Sequence, residues 1–212
     1  MQRIITALTM PDKRKQAFLI ELNGQPWHEI DVEVVVKMHL ATGMELTPEM
    51  QSRIDKENEF VLARRRAVNF CVKMPRTRRQ VERLLGRKHI KEETIERVVL
   101  ELARQELLRD WEVVQRGVRR AERLKIGPRR AKAELNNAGV DDDLINEQIG
   151  PIRDPEWQRK EAAKLAQRRL ERLKDDVPAD RNRKTAQYLL RRGFDPEIVQ
   201  DVLREAGLQG EE

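Results

Sequence analysis

Reactive side chains are scarce in this chain of 212 residues. It has one cysteine, Cys71, one serine, Ser52, and three histidines, His28, His39 and His89. A single cysteine excludes a disulfide framework within the chain and a cysteine-based zinc site. Gly-x-Ser-x-Gly, Gly-x-x-x-x-Gly-Lys-Ser/Thr, Gly-x-Gly-x-x-Gly and His-Glu-x-x-His patterns are all missing, so the common hydrolase, nucleotide-binding and metalloprotease machineries have no residues to stand on. Cys71 follows Ala67-Val68-Asn69-Phe70 on the apolar face of an expected helix and reads as a buried thiol. Asp141-Asp142-Asp143 lacks the alternating ligands and turn glycine of a calcium loop and reads as a helix cap. No catalytic residue, metal ligand or cofactor is assigned, and the chain is not expected to be an enzyme. Aromatics are only 4% of the residues and do not interleave the basic runs, which argues against base stacking. No run of ~18 apolar residues exists, and Met1 to Met10 has no signal-peptide pattern; a cytoplasmic protein without membrane contact is expected.

What the chain has in abundance is charge. Lysine and arginine number 43, aspartate and glutamate 37, giving +6, and thirty of the 43 are arginine. Arginine presents a planar fork of donors suited to phosphate and carboxylate. The apolar residues, 39% of the total, recur at clear spacings, which argues for a folded chain of one or two domains.

The first 30 residues read as strand. Ile4 to Leu8 and Ala17 to Leu22 are short apolar or alternating runs, and Asn23-Gly24 is a strong hairpin signal. A short helix is expected over Asp31 to Met38. Thr47-Pro48-Glu49 then supplies an N-cap, a proline at the first helical position and an acid in the first turn. Beyond it the period is helical. Met50, Ile54, Val61, Ala67, Phe70 and Met74 mark one long helix or two abutting ones. Ile95, Val99, Leu102 and Leu107 mark another face, then Trp111, Val114, Val118, Ala121 and Leu124, then Leu165, Ala166, Leu170 and Leu173. All are expected in the core.

Three segments align without gaps: Val81 to Val99, Ala131 to Ile149 and Thr185 to Leu203. Leu85, Leu135 and Leu189 coincide, as do Ile90, Val140 and Phe194, and Ile95, Ile145 and Val199. Gly139 and Gly193 fall where a left-handed helix C-cap belongs. Asp141 and Asp195 follow as N-caps. In the first copy His89 and Lys91 take those places, so His89 is expected at positive φ at a cost of about 1 kcal/mol. Thr77, Gly127-Pro128 and Asp180 are start signals for the middle helices. Each unit is thus a long helix, a short helix, a turn and a third helix, and stacked neighbours bury what one unit exposes. Charge follows the repeat. Residues 64–91 carry eleven basic residues against Glu82, residues 116–132 eight against Glu122, and residues 181–192 five with no acid, whereas the third helices are acidic. Arg79, Arg129 and Arg183 occupy one equivalent position.

Met74-Pro75-Arg76-Thr77-Arg78-Arg79-Gln80-Val81, Lys125-Ile126-Gly127-Pro128-Arg129-Arg130-Ala131 and Tyr188-Leu189-Leu190-Arg191-Arg192-Gly193-Phe194 together resemble the RecX family of bacterial recombination regulators. The similarity spans about 60–208. The first repeat departs by lacking its glycine, and an acidic element expected after it is reduced to Leu108-Arg109-Asp110. The resemblance implies a non-enzymatic protein that binds RecA and the groove of the RecA–DNA filament. It implies modulation, usually inhibition, of strand exchange, ATP hydrolysis and co-protease activity, and so a place in DNA recombination, repair and the SOS response. The expected fold is mostly α: an elongated array of three tandem three-helix repeats with a small N-terminal β-hairpin unit. The expected segments are 1–47 (the β unit and short helix), 48–108, 109–153 and 154–212 (repeats one to three). The expected filament or DNA contacts are Arg64, Arg65, Arg76, Arg78, Arg79, Arg119, Arg120, Arg123, Arg129, Arg130, Lys132, Arg181, Arg183, Lys184, Arg191 and Arg192. A monomer with weak affinity for single- or double-stranded DNA is expected. The alternative is a direct DNA-binding helical protein that acts without a recombinase, although no recognition helix is evident.

Overall fold

The structure is a computed structural model that describes residues 3–10, 12 and 16–206; residues 207–212 of the last expected repeat lie outside it. Its two compact units divide between Leu108 and Arg109. No helix among the described residues is long and apolar enough to cross a membrane.

The first unit opens with strands β1 (Arg3–Thr9), β2 (Ala17–Leu22) and β3 (Gln25–Asp31). Asn23 and Gly24 both take positive φ, 51° and 78°, the pair that a two-residue hairpin turn demands. β4 (Glu45–Leu46) pairs with Arg3 and Ile4, so the sheet is four-stranded and antiparallel, in the order β3-β2-β1-β4. The hairpin unit expected from sequence leaves β4 out because a two-residue strand carries no periodicity. Pro26 sits in β3, an edge strand, where its missing N–H breaks no ladder. α1 (Val32–Lys37) follows directly, with the Asp31 carboxylate accepting from the Glu33 N–H as N-cap.

α2 (Pro48–Lys73) is one continuous helix of 26 residues, started by Thr47 as expected. α3 (Arg78–Gly86) begins with a complete capping box between Thr77 and Gln80, and α4 (Glu92–Arg104) closes the unit. Sheet and helices share one core: Ile5, Ile20 and Ile30 join Ile54, Val61 and Ala67 of α2, Leu85 of α3 and Leu102 of α4. Cys71 is buried there. Met74, the last residue of the expected α2 stripe, is exposed instead as the C-cap.

The second unit holds α5 (Asp110–Leu124), α6 (Pro128–Ala138), α7 (Asp142–Gln148), α8 (Gly150–Arg153), α9 (Pro155–Arg172), α10 (Pro178–Arg192) and α11 (Pro196–Glu205). The third helix of the second repeat is split into α7 and α8, because Pro151 has no N–H to continue the ladder. α10 starts at Pro178, two residues before the expected Asp180, which lies in its first turn. The core of α5 is Val113, Val114, Val118 and Ala121. Trp111 and Leu124, expected inside, are 56% and 40% exposed; the buried stripe is narrower than the five-residue spacing suggested. A second cluster forms around Leu135, Ile145 and Ile152, and a third around Leu165, Leu189, Phe194 and Val199. Trp157 packs against both, its ring stacked 6.3 Å from that of Phe194.

The repeat is visible at the level of single hydrogen bonds. His89, Gly139 and Gly193 have φ of 56°, 86° and 89°. Each donates its N–H to the carbonyl three residues back (Gly86, Asn136, Leu190), and the next residue (Ile90, Val140, Phe194) donates to the carbonyl five back (Leu85, Leu135, Leu189). This satisfies two orphan carbonyls and tucks an apolar side chain under the helix end. The same pair of bonds recurs at His39-Leu40, Glu106-Leu107 and Lys125-Ile126. Only two of these six left-handed caps use glycine.

Candidate functional site

The basic residues divide sharply by what they touch. In the first unit, Arg64 reaches Glu33 at 2.6 Å and Glu101 at 3.4 Å, tying α1, α2 and α4 together. Arg65 pairs at 2.7 Å with Asp31, whose side chain is buried. Arg78 pairs with Glu82 one turn on, which raises its pKa. The Arg76 guanidinium lies 3.7 Å from the centre of the Phe70 ring, a cation–π contact. Arg79 is exposed and has no ion pair among the described residues.

In the second unit, Arg120 and Arg130 both pair with Glu134. Burial pushes that carboxyl up, but the hydrogen bonds from Arg130 and Arg120 outweigh it and hold Glu134 below its ordinary value. Lys132 bonds Asn146 and pairs with Asp142, lowering the Asp142 pKa. Arg183 pairs with Asp180 and lowers it likewise, and Lys184 pairs with Asp176 at 2.7 Å. Arg181 is half-buried, its Nε without an acceptor. Arg119, Arg123 and Arg191 are exposed and make no ion pair among the described residues.

Several expected contact residues build the seam between the second and third repeats. Gly127 N donates to Arg192 O at 2.9 Å, and Arg129 N to Gly193 O at 3.1 Å. A Cβ on Gly127 would stand 2.3 Å from the Gly193 carbonyl, and one on Gly193 would stand 2.4 Å from the Arg130 backbone. Glycine is required at both places by this approach. The Arg129 side chain reaches Asp195 at 2.9 Å, and Arg192 donates to the Leu124 carbonyl at 2.7 Å and to the Tyr188 hydroxyl at 3.1 Å. Asp195 stands at the N-cap of α11 but makes no side-chain cap bond; its carboxylate serves Arg129 and the buried Gln158 instead. Glu161, buried on α9, pairs with Lys125 at 3.0 Å and Lys164 at 2.9 Å. Burial raises its pKa and the two ammonium groups more than reverse that.

Thus Arg79, Arg129 and Arg183, equivalent by sequence, are not equivalent in partner: one is free, one closes a seam, one pairs along its own helix. Of the sixteen, Arg79, Arg119, Arg123 and Arg191 are the exposed cations with no ion pair among the described residues. The sequence reading passed over Gln158 and Glu161, whose polar type suggests the surface. It also passed over Arg168, Arg169 and Arg172, which meet Tyr188 and Arg192 in a cleft between α9 and α10. Arg172 lies one helical turn after Arg168 and Arg169, and that spacing was the available signal.

The family model for "RecX, third three-helix domain" matches residues 158–203, which cover most of α9, all of α10 and most of α11. A regulatory protein RecX of Clostridioides difficile is 27% identical over 201 residues, 94% of each chain. The chain is thus similar to regulatory proteins RecX over nearly its whole length. A regulatory protein RecX of Leuconostoc mesenteroides is 28% identical over 90% of this chain and 72% of its own length. Among solved structures, one regulatory protein RecX shares the fold with a TM-score of 0.68 at 23% identity, over 95% of this chain and 99% of that one. RecX from Lactobacillus salivarius shares it at 0.58 and 24%, over 72% of this chain. The RecX fold is mostly helical with a small N-terminal antiparallel sheet, as the sequence suggested, and the curated relatives are named as regulators.

Proposed function

We propose that this chain is a RecX-family, non-enzymatic, cytoplasmic regulator that binds RecA and the RecA–DNA filament. It modulates, chiefly by inhibition, the ATPase, strand-exchange and co-protease activities of RecA. The observation that carries the reading is the threefold recurrence of one helix–turn–helix with the same pair of cap hydrogen bonds. A filament is a repeating track, and a protein that repeats one unit can meet successive subunits of it. The segments 48–108, 109–153 and 154–212 would be the contact modules. Each contact can be weak, because tethered modules raise one another's effective concentration. Of the sixteen expected contacts, Arg79, Arg119, Arg123 and Arg191 are exposed and make no ion pair among the described residues, which leaves them for an acidic partner surface or phosphates.

Binding of the full chain to RecA assembled on single-stranded DNA, and to the same DNA bare, tests this between ~50 and ~200 mM salt. Tighter binding to the filament than to bare DNA at every salt supports the reading. Equal binding to both, with a steep salt slope set by phosphate contacts, favours the direct DNA binder instead.

A further inference from the structure

The cleft between α9 and α10 is lined by Leu165, Arg168, Arg169, Arg172, Tyr188 and Arg192 and encloses roughly 250 Å³. Four guanidinium groups converge there and no carboxylate lines it. Arg168 and Arg172 are exposed and make no ion pair among the described residues. The Nε of Arg169 is buried and has no hydrogen-bond acceptor. The guanidinium carbons of Arg169 and Arg192 both lie 5.6 Å from the centre of the Tyr188 ring. The Tyr188 hydroxyl accepts from Arg192 Nε at 3.1 Å, which leaves its own proton free to donate.

The helix dipole favours cations in the last turn of α9, and this accounts for Arg169 and Arg172 as helix residues. It does not account for their convergence with Arg192 from α10. Like charges one turn apart, as at Arg168 and Arg172, disfavour the helix. The acids nearest in sequence do not relieve the cluster: Glu171 and Asp175 make no ion pair among the described residues, and Asp176 is taken by Lys184. The arrangement is that of an anion site.

We propose that this cleft binds a phosphoryl group of a nucleotide, free or within a nucleic-acid strand. Guanidinium forks match phosphate oxygens in pairs. A carboxylate offers two oxygens, too few for four arginines and a phenol, whereas a phosphate presents more acceptors and a second negative charge. The volume is below the ~300 Å³ at which small-molecule pockets begin, so phosphate and its neighbouring atoms fill it and the base stays outside. Recognition is therefore indifferent to the base. The proposal does not depend on RecA, and its test contains none.

The full chain is titrated with pyrophosphate and with ATP by calorimetry, and with a fluorescent oligothymidylate by anisotropy, with pyrophosphate as competitor. The variants are Arg168→Gln with Arg172→Gln, and separately Tyr188→Phe. Arg53→Gln with Arg104→Gln, two exposed arginines outside the expected contacts, removes the same charge elsewhere. Loss of one charge-assisted bond corresponds to about tenfold in affinity. The cleft double variant is expected to bind pyrophosphate at least that much more weakly, Tyr188→Phe to weaken it less, and the control pair to change it less than about twofold. Displacement of the oligonucleotide by pyrophosphate identifies strand phosphate as a source. Binding of ATP and pyrophosphate without the oligonucleotide identifies free nucleotide. The proposal is overturned if no phosphate compound binds, or if the control pair weakens binding as much as the cleft pair. It is also overturned if polyglutamate binds as tightly as pyrophosphate with the same dependence on the cleft.

Discussion

Replacing Gly127 by alanine should open the seam between the second and third repeats. The added methyl carbon would lie 2.3 Å from the carbonyl carbon and oxygen of Gly193 and from the Phe194 nitrogen. That is about 1 Å inside ordinary contact, and all three atoms are backbone, so no side-chain rotation relieves it. Two backbone hydrogen bonds cross here, from Gly127 to Arg192 and from Arg129 to Gly193. At about 1 kcal/mol each, with more for the charged bond from Arg192 to the Leu124 carbonyl and little for the exposed Arg129–Asp195 pair, the loss is about 3 kcal/mol. For a chain of this size that lowers the melting temperature by on the order of 10 °C. Gly150→Ala is the control, because nothing lies within 4 Å of its added carbon. Thermal unfolding gives the energy and amide exchange gives the place: the Gly127 and Arg129 N–H groups should lose protection while those in α2 keep it. If Gly127→Ala melts with the control and both amides stay protected, the close approach is not what joins these repeats.

Three further outcomes are expected. His89→Gly should stabilise the first unit by about 0.5–1 kcal/mol in urea unfolding, since it relieves a left-handed residue at the cap, less the chain entropy that glycine adds; a loss would mean the imidazole itself holds the turn. Glu57 is held at about 2, first by its hydrogen bonds from Arg97 and also by Lys37. A lowered carboxyl pKa stabilises the fold above the unfolded value of 4.5 and ceases to as pH falls toward 2. Allowing for solvent around Arg97 and Lys37, Glu57→Gln should cost about 1–2 kcal/mol at pH 7. The gap from the parent protein should close between those two pH values; a gap independent of pH would remove the ion pairs as its cause. Reversal of Arg79, Arg119, Arg123 and Arg191 to glutamate together should weaken filament binding at least about tenfold and leave helical circular dichroism intact, because none of them makes an ion pair among the described residues. Undiminished binding would take these four out of the interface.

Local chemistry made the fold legible. Asn23-Gly24, Thr47-Pro48, Gly139 and Gly193 each mark a backbone geometry that few other residues supply, and the structure has it at each position. His89 was legible only through alignment with the two glycines. Its fellows His39, Glu106 and Lys125 carry no such mark and were missed, though each precedes an apolar residue that tucks under the helix end. The surface was harder to read. Whether an arginine faces outward depends on carboxylates distant in sequence, as with Arg65 and Asp31 or Arg129 and Asp195. Charge sums over a segment count such residues as available when the fold has already used them. The same long-range pairing hides β4, whose two residues meet β1 more than forty positions away.

ATP hydrolysis by RecA on single-stranded DNA reads the proposed regulation of RecA most directly. Addition of this protein should lower the rate in a dose-dependent way, and the four-arginine reversal should require more protein for the same effect. A hydrolysis rate unchanged at every ratio of this protein to RecA would contradict the account.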